Sequence, residues 1–327
     1  MAVILVTGGA GYIGAHACRA LATGGHTPVA YDNLVTGWRD AVRYGPFIEG
    51  CLTDRARLDE VLATHRPDAV MHFAALSNVG EASRVPGRYW HNNVLGSLTL
   101  VEAMAAAGID RLVFSSTCAI YGDQDGVTLD EDAVQAPLNA YGASKRAVED
   151  ILRDFGAAYG LRSVAFRYFN VGGADASGEI GEFHDPETHL IPLALFAAMG
   201  RRAALTVFGE DYPTRDGTCV RDYVHVTDLV DAHLKGLDWL LEGGPSAAFN
   251  LGTGRGFTVR EVIAAAEAAT GLPVPWQGGA RRAGDAVSLV SGSGRAEAML
   301  GWRPERSTLD RMIRDAWGWH QRNGYVR

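Results

Sequence analysis

Apolar and polar positions follow two different periods over the first 170 residues. Short unbroken apolar runs alternate with longer stretches whose apolar residues recur every three or four positions. Val3–Thr7 is such a run and predicts a strand buried on both faces. A helix is expected over Tyr12–Ala22, ended by Gly24 and Gly25. Pro28–Tyr31 reads as a second strand and Phe47-Ile48 as a third. Thr53 or Asp54 caps a helix to about His65, with Pro67 beyond it. Strands at Ala69–Phe73, Arg111–Ser115 and Ser163–Arg167 follow, separated by long helices from Pro86 to about Gly108 and from Tyr141 to Tyr159. This alternation predicts an α/β fold with a doubly wound parallel sheet, helices on both faces.

The texture changes after Asn170. Residues 171–224 are rich in Gly, Pro, Asp and Glu, with one helical patch near Leu193–Met199. Helices at His225–Leu241, Val259–Ala269 and Leu309–His320 and a strand at Phe249–Leu251 complete the pattern. We therefore expect one α/β domain over 1–170, with parts of 225–255 returning to it. A smaller C-terminal α/β region over 171–327 is left for a substrate. No flexible linker separates the two.

Composition narrows the field. The chain has 327 residues, 47% of them hydrophobic and 21% charged, which excludes a disordered chain. A net charge of −8 argues against a nucleic-acid partner. No apolar run approaches the roughly 20 residues of a membrane span, and the start lacks the charged flank of a signal peptide. The four cysteines lie far apart without a CxxC pair, as expected of free thiols in the cytoplasm. Only two of the 30 basic residues are lysines, Lys145 and Lys235.

Candidate chemistry begins at Thr7-Gly8-Gly9-Ala10-Gly11-Tyr12-Ile13-Gly14, between the first strand and the first helix. Gly8 allows a tight turn, Gly11 a close approach to a pyrophosphate at the helix N-terminus, and Gly14 close packing of helix on strand. Asp32, at the end of the second strand, suits the ribose hydroxyls of NAD and repels the 2′-phosphate of NADP. Tyr141 and Lys145 stand four apart, one turn along a helix face. A lysine ammonium there is expected to lower the tyrosine pKa and favour a phenolate that takes a proton from a sugar hydroxyl. Thr117 follows the strand Arg111–Ser115, where α/β sheets bind ligands, and could bond the same oxygen.

Together these elements resemble the extended short-chain dehydrogenase/reductase family over nearly the whole chain. The likeness narrows to its nucleotide-sugar 4-epimerases through further blocks. These are Asp32-Asn33-Leu34, His72-Phe73-Ala74-Ala75, Asn92-Asn93-Val94, Tyr121-Gly122-Asp123, Arg167-Tyr168-Phe169-Asn170, Asp216-Gly217-Thr218-Cys219-Val220-Arg221-Asp222-Tyr223, Asn250-Leu251-Gly252 and Arg281-Arg282-Ala283-Gly284-Asp285. The resemblance implies a Rossmann-like fold and bound NAD. Tyr12, Ile13, Asp32, Asn33, Phe73, Ala74 and Asn93 would hold NAD, together with Cys51, Leu52, Ala75, Ser77, Ser115 and Tyr168. Tyr141 would be the base, Lys145 its tuner and holder of the nicotinamide ribose, and Thr117 a partner of the sugar O4. Asn170, His189, Leu190, Phe208, Arg221, Arg282 and Asp285 would hold a UDP-sugar. Arginine forks suit its phosphates. The implied reaction interconverts UDP-glucose and UDP-galactose by transient oxidation at C4, within a homodimer built on the helices 86–107 and 141–159. Leu95, Leu98, Val101 and Met104 are candidate apolar contacts there.

Three positions depart from the pattern. Ser77 replaces a lysine near the pyrophosphate and Cys51 an aspartate near the adenine, so weaker NAD retention is expected. Leu289 stands where residue size gates the pocket at the sugar C2, and leucine predicts a preference for unacetylated sugars. Cys118-Ala119 replace the Asp-Glu pair of the related dehydratases, which argues against dehydration. A related enzyme of UDP-N-acetylhexosamines, UDP-pentoses or UDP-uronates shares the Tyr/Lys/Thr set. A non-enzymatic NAD sensor would be expected to lose it. His184, Asp185, Glu187 and His189 have the residue types of a metal site, but such groups in a polar loop are usually solvated, so no metal is expected.

Overall fold

The computed structural model describes residues 1–124, 128–282, 285–292 and 294–322; Ala283 and Gly284 of the arginine block lie outside them. Seven parallel strands form the main sheet in the order Ala247–Leu251, Arg162–Tyr168, Arg111–Ser115, Ala69–His72, Val3–Thr7, Thr27–Asp32, Phe47–Glu49. The chain leaves Val3–Thr7 towards one edge and returns at Ala69–His72 on its other side. The crevice above these two carboxyl ends is the topological switch point, where open α/β sheets bind ligands.

Side-chain alternation divides the core. Ile4 and Val6 face one way, against Cys18 and Leu21 of the helix Tyr12–Thr23 and Leu229, Val230 and Leu237 of Val226–Leu241. Leu5 faces the other way, in the cluster of Leu58, Leu62, Leu100, Met104, Val148 and Leu152. A third cluster joins the helices Leu190–Ala198, Val259–Thr270 and Leu309–His320 beyond the sheet.

The stretch expected as one helix from Pro86 is α-helical at Pro86–Tyr89, π-helical over Trp90–Leu95, and α-helical again over Gly96–Ala107. The wide turn brings Asn93 inward, where its amide bonds both Leu76 backbone groups and Ser144 Oγ. Of the four residues on this segment offered as dimer contacts, only Leu95 is exposed and Leu98 partly so; Val101 and Met104 are buried in the chain's own core. The structure also contains strands that periodicity missed, most of them after Asn170. Asn170–Gly172, Val220–His225, Gly256–Thr258, Ser288–Ser291 and Thr128–Leu129 build a second sheet, and Leu205–Phe208 pairs with Trp276–Gly279. They are short and several are polar, so a period of two has little length in which to show. No helix among the described residues is long and apolar enough to cross a membrane.

Candidate active site

One cavity of about 790 Å³ runs from the glycine turn across the switch point to the second sheet. At the turn, Gly8 has φ +74°, and a Cβ there would meet the Ala74 backbone nitrogen at 2.6 Å. A Cβ on Gly14 would meet the Gly8 carbonyl oxygen at 2.1 Å, so only glycine lets the helix close onto the loop. Gly11 caps that helix without a side-chain bond, and its first turn carries no acidic residue. This cradle suits an anion at a helix N-terminus. Asp32 is buried at the end of its strand. Its carboxylate accepts the Ala10 N–H at 3.0 Å and the Leu34 N–H at 2.8 Å, tying the strand to the loop. Burial raises its pKa, against those two bonds. Asn33, Cys51, Leu52, Phe73, Ala74, Ala75 and Ser77 continue the wall. The donor set fits an adenine dinucleotide with free ribose hydroxyls. Burial opposes ionisation of Cys51, but bonds from Thr53 and Asn33 bring its thiol below the ordinary value.

The helix Ala140–Tyr159 starts beneath the second half of the cavity, with the Asn139 side chain accepting the Gly142 N–H at 3.0 Å. That cap sets Tyr141 in the first turn and Lys145 one turn on. Thr117 stands beside the Tyr141 phenol and pulls its pKa down. Thr117 accepts the Ala119 N–H at 3.1 Å, which fixes its rotamer after the strand. Lys145, 3% exposed, donates to the Ser115 carbonyl at 2.7 Å and lies over the Phe114 ring. The electrostatics differ from the sequence expectation. Burial pushes the Tyr141 phenol up, as does nearby Tyr168, while Thr117 pulls it down. Burial brings Lys145 itself down to about 7, against the pull of Glu149. Desolvation outweighs the neighbour here, because the dry wall penalises each charged form separately.

Behind this wall lies a buried network absent from the sequence reading. Ser116 Oγ donates to Glu149 at 2.5 Å, and Glu149 pairs with Arg167 at 2.6 Å. Arg167 in turn donates to the Tyr121 hydroxyl at 3.0 Å and the Glu131 carbonyl at 2.9 Å. Only the tertiary fold joins these four segments.

The far half is made of side chains from remote segments. Arg221 donates to Asp285 at 2.6 Å and to the Val220 carbonyl at 2.8 Å, with its side chain 11% exposed. The Arg282 guanidinium lies 4.0 Å from the Phe208 ring centre. Leu289 packs on the buried group of Cys118, Ile120 and Tyr121. Asn170, His189, Leu190, Arg221, Arg282, Asp285 and Leu289 all reach the cavity. So do all the expected dinucleotide contacts except Asn93. Its amide is spent on Leu76 and Ser144, so it positions the 74–77 wall instead of lining the cavity. The loop expected in solvent is also corrected. His184, Glu187 and His189 converge with Glu182, and the Glu182 and Glu187 side chains are 4% and 3% exposed. The carboxylates hold the His189 imidazole above its ordinary pKa, against burial.

Comparison with known proteins gives a consistent set of likenesses. The family model described as "NAD dependent epimerase/dehydratase family" matches residues 4–252. A protein of Rhizobium meliloti (strain 1021) named UDP-glucose 4-epimerase is 54% identical over 319 residues, 98% of this chain and 97% of that one. The crystal structure of UDP-glucose 4-epimerase from Brucella ovis in complex with NAD superposes with a TM-score of 0.94. It is 48% identical and covers 97% of this chain and 98% of its own. A UDP-glucose 4-epimerase from Stenotrophomonas maltophila, solved with bound NAD and formylated UDP-arabinopyranose, has a TM-score of 0.95. It is 40% identical over 99% of each chain.

Proposed function

The chain belongs to the NAD dependent epimerase/dehydratase family, and from that premise we propose that it interconverts UDP-glucose and UDP-galactose by inverting C4. The observation that carries this is the shared cavity: the glycine cradle, the Thr117–Tyr141–Lys145 cluster and the Arg221/Asp285 pair line one continuous wall. When bound, NAD supplies reversible oxidation at C4, which makes a 4-keto sugar and so permits either epimer to re-form. Gly8, Gly11, Gly14, Asp32 and Lys145 would hold it.

The residues of the chain do the rest. Tyr141 takes the proton of the C4 hydroxyl. Thr117, beside the phenol, donates its hydroxyl proton in a hydrogen bond to that oxygen and holds it in line. Only the phenolate of Tyr141 can take the C4 hydroxyl proton, and the ammonium form of Lys145, one turn along the helix and brought down by burial to about 7, favours it. Arg221 and Arg282 grip the diphosphate, a contact that does not depend on which sugar face is presented. The sugar can therefore turn over while its nucleotide stays in place. Cys118-Ala119 offer no acid–base pair for eliminating water.

We assign dinucleotide binding to 1–170 with the returning strand, and sugar-nucleotide binding mainly to 171–327. We place the enzyme in the cytoplasm as a homodimer, on the exposed Val85, Trp90 and Leu95 beside the helix Ala140–Tyr159. A UDP-pentose is the second reading, favoured by the arabinose nucleotide in the Stenotrophomonas relative.

The test is to incubate purified protein with UDP-galactose, adding no NAD, and follow UDP-glucose. Turnover establishes the reaction and a retained cofactor. Turnover only with added NAD keeps the reaction and ties loose retention to Ser77 and Cys51. No turnover under either condition refutes the assignment and moves it to another UDP-sugar.

A further inference from the structure

The loop between Gly181 and the helix Leu190–Ala198 carries two carboxylates and two imidazoles aimed at one point. Glu182, His184, Glu187 and His189 each offer one ligand atom, and all four lie within 4.8 Å of one another. His184 Nδ1 is 3.5 Å from Glu182 Oε1 and 3.4 Å from Glu187 Oε2, and His189 Nδ1 is 2.9 Å from Glu182 Oε1. Ligands about 2.0–2.2 Å from a common cation stand roughly 3.0–3.6 Å apart; the two His184 separations fall in that range, and His189 Nδ1 stands slightly closer to Glu182.

Two further observations separate this cluster from an ordinary ion-pair network. Glu187 Oε1 is fully used, accepting the Thr188 N–H at 2.7 Å and the His189 N–H at 2.9 Å. Its Oε2 and His184 Nδ1 are buried and make no hydrogen bond. The two atoms face each other at 3.4 Å. The loop is also held rigidly from outside. Trp319 Nε1 donates to the Glu182 carbonyl and Trp38 Nε1 to the Phe183 carbonyl, both at 2.8 Å.

We propose that Glu182, His184, Glu187 and His189 form a closed four-ligand site for a divalent first-row transition cation. Two nitrogens with two carboxylates favour zinc-like ions over magnesium or calcium, which take oxygen-only shells. The cation cancels the charge of two buried carboxylates. Because four protein ligands fill the shell, its role is structural. It locks the ring of His189 in the cavity wall, where the residue lines the sugar-nucleotide half. The inference stands apart from the proposed activity.

The experiment uses the holoenzyme after treatment with a chelator and desalting. Zinc is titrated by calorimetry, and bound metal is counted by mass spectrometry. We expect one equivalent per chain and a raised melting temperature. In Glu187→Gln and in His184→Ala, affinity falls at least about 100-fold with unchanged circular dichroism. No saturable binding, or binding that survives both substitutions, overturns the site. Should either variant not fold, cobalt(II) replaces zinc in the unaltered holoenzyme. Visible bands of a four-coordinate nitrogen–oxygen site without thiolate charge transfer support the assignment. A six-coordinate spectrum, or a thiolate band from Cys51, overturns it.

Discussion

The two ends of the cavity are built on opposite principles. The dinucleotide end has a backbone heart within the first 32 residues: a glycine turn, a helix start and one carboxylate. The sugar-nucleotide end is mostly side chain, with Asn170, His189, Arg221, Arg282 and Asp285 drawn from widely separated segments. Backbone sites tolerate no added bulk but need little neighbouring support. Side-chain sites tolerate changes of shape but depend on every element that orients them. Tyr141, Lys145 and Thr117 line the same cavity between the two ends.

This contrast can be broken by mutation, beginning between the two ends. Tyr141→Phe should lower kcat by about 10³-fold or more while leaving bound NAD and the fold unchanged, because only the acid–base group is lost. A smaller loss than in any sugar-end variant would remove Tyr141 from the central role. At the dinucleotide end, Gly14→Val should abolish co-purification of NAD, since even a Cβ meets the Gly8 oxygen at 2.1 Å. Absorbance of the heat-released cofactor reads this directly. Retained NAD would show that the backbone cradle is more forgiving than its geometry.

At the sugar end, Arg221→Leu should raise KM for the UDP-sugar about 10–100-fold with kcat changed far less, as expected of uniform binding. An equal fall in kcat would mean that the diphosphate grip is part of the chemistry. Leu289→Ala should act most gently, shifting the ratio of turnover on UDP-N-acetylglucosamine to UDP-glucose upward by up to about tenfold. Equal turnover of the two by the unaltered enzyme would already remove the size-gate assignment.

Acid adds a test of the sheet beneath. His233, fully buried among Phe73, Phe166 and Tyr168, is held by burial at about 4, below its ordinary value of 6.5. The unfolded chain therefore binds more protons than the folded one between these values. Stability is full above pH 6.5 and falls as pH drops towards 4, by on the order of 1–3 kcal/mol from this residue. His233→Phe should melt with a shallower decline across that window, and an unchanged slope would assign the acid sensitivity elsewhere.

What could be read in the chain follows the same division. Gly8, Gly11, Gly14 and Asp32 share one local motif with a strand before and a helix after, so spacing alone brings them to one place. Tyr141 and Lys145 are a turn apart on one helix and need no other segment to become neighbours. The inward turn of Asn93 was not legible, because a π-helical turn leaves the apolar period almost intact. Nor was the Glu149–Arg167–Tyr121 network, whose members look like ordinary surface and core residues until the strands pair. Glu182 escaped for the same reason: without the bonds from Trp38 and Trp319 to its loop, nothing in the sequence marks it as buried.

The sequence by itself determined the parallel sheet, the glycine cradle with its acid, and the tyrosine–lysine turn. Each depends on periodicity or spacing within a few dozen residues, where backbone geometry leaves few options. Tertiary structure alone decided the protonation balance at Tyr141 and Lys145, the pairing of Arg221 with Asp285, and the gathering of two glutamates and two histidines under one loop. Desolvation and long-range charge pairing depend on which distant segments exclude water from a given atom, and that is set only when the chain closes on itself.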